Sequence, residues 1–260
     1  MSVRPGLTMS EFLTALHEQL QQTAAIPAFS ELGNNLTIAP EDYREHALRS
    51  QLAASKEHRA WADFVAAFGA DIPNQDNPSI IQDTAIRTMS GTGHQHFLGV
   101  MTTLIRETTK EKLREALFDV WSYSDPMQNQ NLRWDPQDDV RYALRWRNPS
   151  GDPVRRNAGS VVGANRLAIE GLPLLSTTCT ARGLTTTGFV GRRSTDTFWT
   201  WPIWDGWLTL STARSVLLLP EIQMDSPSRD DLALRGIVEV FRSQRLTVNK
   251  FRNFSPAKSV

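Results

Sequence analysis

Two groups of residues in this chain can do chemistry: histidines on a glycine-rich loop, and arginines set among aromatics. The loop is Gly91-Thr92-Gly93-His94-Gln95-His96, and it runs into an apolar-periodic segment with Phe97, Leu98, Met101, Leu104 and Ile105. Glycines leave backbone N–H groups at a helix N-terminus open to an anion. Gly91, Gly93, His94 and His96 are therefore candidates for holding a phosphate, with the histidines able to move protons at a phosphodiester. The alternative is a simple turn at a helix start, whose histidines bond to nearby backbone, because short Gly-x-Gly patterns are common. His-x-His with no third ligand at fixed spacing is a weak metal signal, so neither metal nor cofactor is assigned.

The arginines fall in separate stretches. Residues 132–147 place Arg133, Arg141, Arg145 and Arg147 among Trp134, Tyr142 and Trp146, with Asp135, Asp138 and Asp139 diluting the charge. Arg155–Arg156 and Arg192–Arg193 are doublets in loop-like sequence, and Arg242, Arg245, Lys250 and Arg252 lie in a final stretch without an acid after Glu239. Arginine's planar fork binds phosphate, and aromatics stack on bases, so this mixture suits single-stranded nucleic acid. It equally suits a cation–π-rich surface that docks another protein. In the tryptophan-rich run Phe198–Trp207, strand alternation puts Phe198, Thr200 and Pro202 on one face and Trp199, Trp201 and Ile203 on the other. A core edge is the default reading of that run and a base-stacking platform the alternative.

Charge follows the same division. Residues 1–140 hold 11 Lys/Arg against 19 Asp/Glu, and residues 141–260 hold 17 against 9, although the whole chain is balanced at 28 each. That polarity reopens a polyanion partner that zero net charge would argue against. Nucleophile and nucleotide motifs (Gly-x-Ser-x-Gly, the P-loop pattern) are missing. The single cysteine, Cys179, excludes a disulfide framework within the chain and reads as a small buried apolar residue. No apolar run approaches a membrane span and the first residues lack a signal-peptide core, so the expectation is a soluble cytoplasmic protein.

These residues must be positioned by helices first and mixed elements afterwards. Ser10 before Glu11, Pro40 before Glu41 and Asp42, and Thr109 before Lys110 are helix-start signals. Trp61–Phe68 reads as a helix closed by Gly69, and the turn-rich 71–79 as a hinge. Ala164–Leu172 and Ser211–Leu219 read as helices. Leu184–Val190 and Asp196–Trp204 read as strands around a basic turn, and Ile237–Val248 as a last strand before a basic tail. The expected class is α+β: a helical N-terminal part, then a mixed α/β part with a small antiparallel sheet. The expected division is an acidic region 1–125 and an Arg/Trp-rich basic region 126–260.

Taken in order, Ser90–Leu98 (SGTGHQHFL), Ala164–Leu175 (ANRLAIEGLPLL), Thr186–Phe189 as Thr-Thr-Gly-Phe, Phe198–Trp204 (FWTWPIW) and Leu208–Leu219 (LTLSTARSVLLL) resemble the large-subunit proteins of type I CRISPR effector (Cascade) complexes. The resemblance spans roughly residues 88–219. It implies an antiviral-defence ribonucleoprotein whose partners are guide RNA, target DNA and other protein subunits. It also implies binding without catalysis, since such complexes leave cleavage to a separate nuclease, with base pairing supplying most specificity. The alternatives are a phosphodiester-acting enzyme using the 91–96 loop, and a protein–protein adaptor with an arginine-rich face.

Overall fold

The computed structural model describes residues 6–54, 59–89, 91, 96–125, 130–135, 159–181, 183–191, 196–248 and 251–260. The fold is α+β: helices dominate the N-terminal half, and the C-terminal part carries a five-strand antiparallel sheet with helices. In chain order the helices are α1 (Met9–Gln21), α2 (Ala28–Glu31), α3 (Pro40–Ala53), α4 (Arg59–Phe68), α5 (Phe97–Glu107), α6 (Lys110–Phe118), α7 (Val162–Gly171), α8 (Leu210–Leu217) and α9 (Arg229–Ala233). The strands are β1 (Gly69–Pro73), β2 (Ile81–Asp83), β3 (Thr177–Thr180), β4 (Gly183–Thr186), β5 (Phe189–Val190), β6 (Phe198–Trp204), β7 (Ile237–Val248), β8 (Phe251–Phe254) and β9 (Lys258–Ser259). No helix among the described residues is long and apolar enough to cross a membrane.

The chain divides into two units that interleave in sequence: Met1–Thr37 with Met89–Gly171, and Ile38–Thr88 with Leu172–Val260. Charge redistributes accordingly. The first unit's residues include 12 Lys/Arg and 13 Asp/Glu, the second's 16 and 15. The polarity along the chain is thus almost absent from the units the chain builds.

The first unit is helical. The cap of its α1 lies two residues before the expected one. Thr8 rather than Ser10 accepts from the Glu11 N–H, and the Glu11 carboxylate accepts from the Thr8 N–H at 2.8 Å. A capping box requires the acid three residues after the cap, and only Thr8 has that spacing. Leu13, Leu16 and Leu20 pack with Leu113 of α6 as a buried cluster. Arg166 of α7 is also buried, donating to the Leu20 carbonyl at 2.5 Å and pairing with Glu170 at 2.8 Å.

In the second unit, α3 starts at Pro40 as expected, and the buried Tyr43 donates to the Val65 carbonyl of α4 at 2.6 Å. α4 ends at Phe68 as expected, and Gly69, which follows it, is also the first residue of β1. Residues 74–79 form a hairpin turn, not a hinge: the Asn74 side chain accepts from Asp76 N–H, and β1 pairs with β2. β3 pairs with β4. The main sheet runs β5–β6–β7–β8, with β9 also on β7, and every pairing is antiparallel. The expected basic tail is therefore part of the sheet, consistent with the burial demand of Phe254, which is 3% exposed. One side of the sheet covers the core of Val216, Ile222, Leu232, Ile237 and Val240.

Candidate functional site

The glycine-rich loop and the helix after it lie in the first unit. Gly93 and His94 are outside the described residues. Gly91 sits at φ +89°, a backbone conformation that favours glycine, and a Cβ there would come within 2.7 Å of the Asn35 amide nitrogen. His96 immediately precedes α5, and its Nδ1 is buried without a partner among the described residues. The first N–H groups of α5 are already bonded: Phe97 to the Asn35 side-chain oxygen at 3.1 Å, and Leu98 and Gly99 to the Asn34 carbonyl at 2.9 and 3.2 Å. Residues 34–35 thus occupy the donors that an anion would need.

Of the basic candidates, Arg145, Arg147, Arg155, Arg156, Arg192, Arg193 and Lys250 lie outside the described residues. The beginning of the Arg/Trp segment is structural: Leu132 N–H donates to Asn165, and Trp134 packs edge-on against Phe97. Arg242, Arg245 and Arg252 are carried by β7 and β8, and the strand period separates them. Arg242 is directed to the core side with Val240, as alternation requires. There it donates to Thr200 Oγ1 at 3.1 Å, to Asp225 at 2.9 Å, and to the Gln223 and Met224 carbonyls at 2.9 and 2.8 Å. Its donors are committed to the fold.

Arg245 and Arg252 are brought together on the opposite face. Arg245 is opposite Phe254, and Thr247, two residues on, is opposite Arg252. Cross-strand partners share a face, so both arginines and Phe254 project from the same side. The face extends over Ser243, Phe241 and Glu239, which lie opposite Trp199, Trp201 and Ile203, and over Phe189 opposite Trp199. The aromatics form a continuous row. Phe189 stacks on Trp199 at 6.0 Å, Trp199 lies 4.6 Å from Trp201 and 5.7 Å from Phe254, and Trp201 stacks on Phe241 at 6.2 Å. Apart from the buried Phe254 these rings are half-buried, and Ile203 at the far end is exposed.

At the arginine end of the row is a cleft of about 380 Å³, lined by both arginines and by Asp83, Thr84, Thr186 and Thr197. Arg245 Nη2 donates to the Arg87 carbonyl at 3.2 Å, while its Nε is buried without an acceptor among the described residues. Neither Arg245 nor Arg252 has a carboxylate within ion-pair distance among those residues; Asp83 is taken by Arg87 in a short, buried ion pair. Burial pushes the Arg245 guanidinium down to about 10, with Arg252 and then Arg87 adding repulsion that Asp83 only partly opposes. Desolvation and neighbouring like charge both disfavour the charged form of this guanidinium.

A larger cavity of about 730 Å³ lies along α3 and α4, but each charged residue lining it has an ion-pair partner: Arg59 and Asp63 pair with each other, Asp63 also with Arg214, and Asp71 with Arg44. It carries no comparable electrostatic demand. Cys179 is exposed on β3, not buried as its small apolar character suggests, because that end of the β3–β4 hairpin lies open. Among the described residues no cluster of His, Cys, Asp and Glu has the geometry for a metal ion. Arg87, Asp83, Thr84 and Thr186 are absent from the sequence-derived candidates, since no local motif marks residues that reach Arg245 from about 60–160 positions away. Comparison with protein-family models, curated proteins and solved structures finds no match to the chain.

Proposed function

We propose that this chain is a non-catalytic nucleic-acid-binding protein that takes a single strand across the Arg245/Arg252 face of its main sheet. The observation carrying this reading is that two arginines with no carboxylate partner among the described residues share one face with a row of aromatic rings, four of them half-buried. Guanidinium groups neutralise backbone phosphates, and rings stack on bases of any identity at ~1–3 kcal/mol per base. Arginine beside half-buried aromatics on one sheet face serves both needs at once. The lining of the cleft supports binding over hydrolysis: Asp83 is its acidic residue, and Arg87 holds it. In the setting implied by the CRISPR-type resemblance, the chain is a cytoplasmic subunit that contacts guide RNA or target DNA, and base pairing elsewhere supplies sequence choice.

Fluorescence anisotropy of labelled single-stranded DNA and RNA, titrated at several salt concentrations, tests the proposal. Two neutralised phosphates predict a slope of log affinity against log salt of about −1.4, at ~0.7 per phosphate on a single strand. Trp201→Ala should weaken binding without changing that slope, because stacking releases no counterions. Absence of binding to either polymer at low salt overturns the reading.

A further inference from the structure

The arginine end of the sheet face is walled as a pocket. Its sides come from the β1–β2 hairpin and the residues after it, from β4, from the turn at Gly191, and from the β7–β8 pair. Its volume of about 380 Å³ falls at the small-ligand end of binding cavities. The charges define what fits. Asp83 and Arg87 cancel each other, which leaves Arg245 and Arg252 as two positive charges with no carboxylate partner among the described residues. A backbone phosphodiester offers one negative charge. A phosphate monoester offers about 1.5 to 2 and three acceptor oxygens. Paired guanidinium forks match those oxygens better than they match a diester's two. Hydroxyls complete the lining. Thr186 Oγ1 already accepts from the Ala85 N–H at 3.0 Å, which leaves its O–H to be directed at an acceptor, and Thr84 Oγ1 is 3.5 Å from it.

We propose that this cleft is a receptor for a phosphate monoester, which on the function proposed above is the phosphorylated end of the bound strand, with the rest of the strand passing over the aromatic row. The cleft then fixes where the strand begins on the face, and the arginines discriminate a processed end from an internal phosphate.

The test uses the whole chain and one oligonucleotide sequence in three forms: 5′-phosphorylated, 3′-phosphorylated and without a terminal phosphate. A nucleoside 5′-monophosphate, followed by thermal shift, serves as a further probe. One phosphorylated form is expected to bind about tenfold or more tighter than the unphosphorylated strand. Arg252→Gln is expected to erase that preference while keeping the parent's melting curve, since the Arg252 side chain makes no hydrogen bond or ion pair among the described residues; Arg245→Gln is the second variant. Equal binding of all three strands overturns the pocket and leaves the nucleic-acid reading standing. No strand binding, together with a melting-temperature rise from the monophosphate in the parent but not in Arg252→Gln, overturns the nucleic-acid reading and supports the pocket. No response to any of these probes overturns both.

Discussion

Arg242 and Arg245, three positions apart in one strand, have opposite physical roles. Arg242 is only 14% exposed in its side chain, and its guanidinium holds Thr200, Asp225 and two carbonyls of the 220–224 segment. Arg242→Ala leaves those acceptors unmet, so it should cost about 2 kcal/mol or more in chemical denaturation, with oligonucleotide affinity in the folded protein unchanged. Arg245 is desolvated beside Arg87 and Arg252, and its Nε has no acceptor among the described residues. Arg245→Met removes that charge, and stability should be unchanged or rise by up to ~1 kcal/mol while anion binding is lost. If both substitutions destabilised equally, the distinction between a structural and a ligand-facing arginine would be wrong.

At the scale of elements, the helix starts are set by side-chain chemistry and the sheet by period. The capping box of α1 also makes a pH prediction. The Thr8 N–H, then the Thr8 hydroxyl, hold the Glu11 carboxyl below its ordinary 4.5. A carboxylate depressed in the folded state stabilises above its unfolded value, and that stability is lost as pH falls through the folded one. The parent should therefore melt above Glu11→Gln at neutral pH, and the gap should close as pH drops below about 4.5. A gap that persisted unchanged in acid would show that the carboxylate is not its source. On β7, the same alternation that buries Val240 and Arg242 obliges Phe241 and Arg245 to face the other way. A shift of one residue in register would exchange the two sets.

For the whole molecule, the charge imbalance between early and late sequence does not carry over to the two units. Each unit is within one charge of neutrality by composition, so on the proposed function attraction for polyanions comes from local clusters of cations, and a shallow salt slope follows from that. The second unit also needs residues 38–88, which supply α3, α4 and the β1–β2 hairpin, along with the Asp83–Arg87 pair under the cleft. A fragment spanning 126–260 lacks all of these and should show no cooperative thermal transition by circular dichroism. A sharp transition in that fragment would mean that the sheet can fold without them.

Much of the local structure could be read directly from residue order. Pro40 and Thr109 mark helix starts through fixed φ and capping, and the alternation in Phe198–Trp204 and Ile237–Val248 gives strands with assigned faces. These are short-range effects, decided within a few residues by hydrogen bonding and side-chain period. The pairing of Arg245 with Arg252, the presence of Asp83 and Arg87 beside them, and the commitment of Arg242 to the core side's acceptors were decided only by tertiary structure. Burial, desolvation and charge pairing depend on which distant segments are brought within a few ångströms. For the same reason, the opposite charges of the two halves cancel within each unit once the chain has folded.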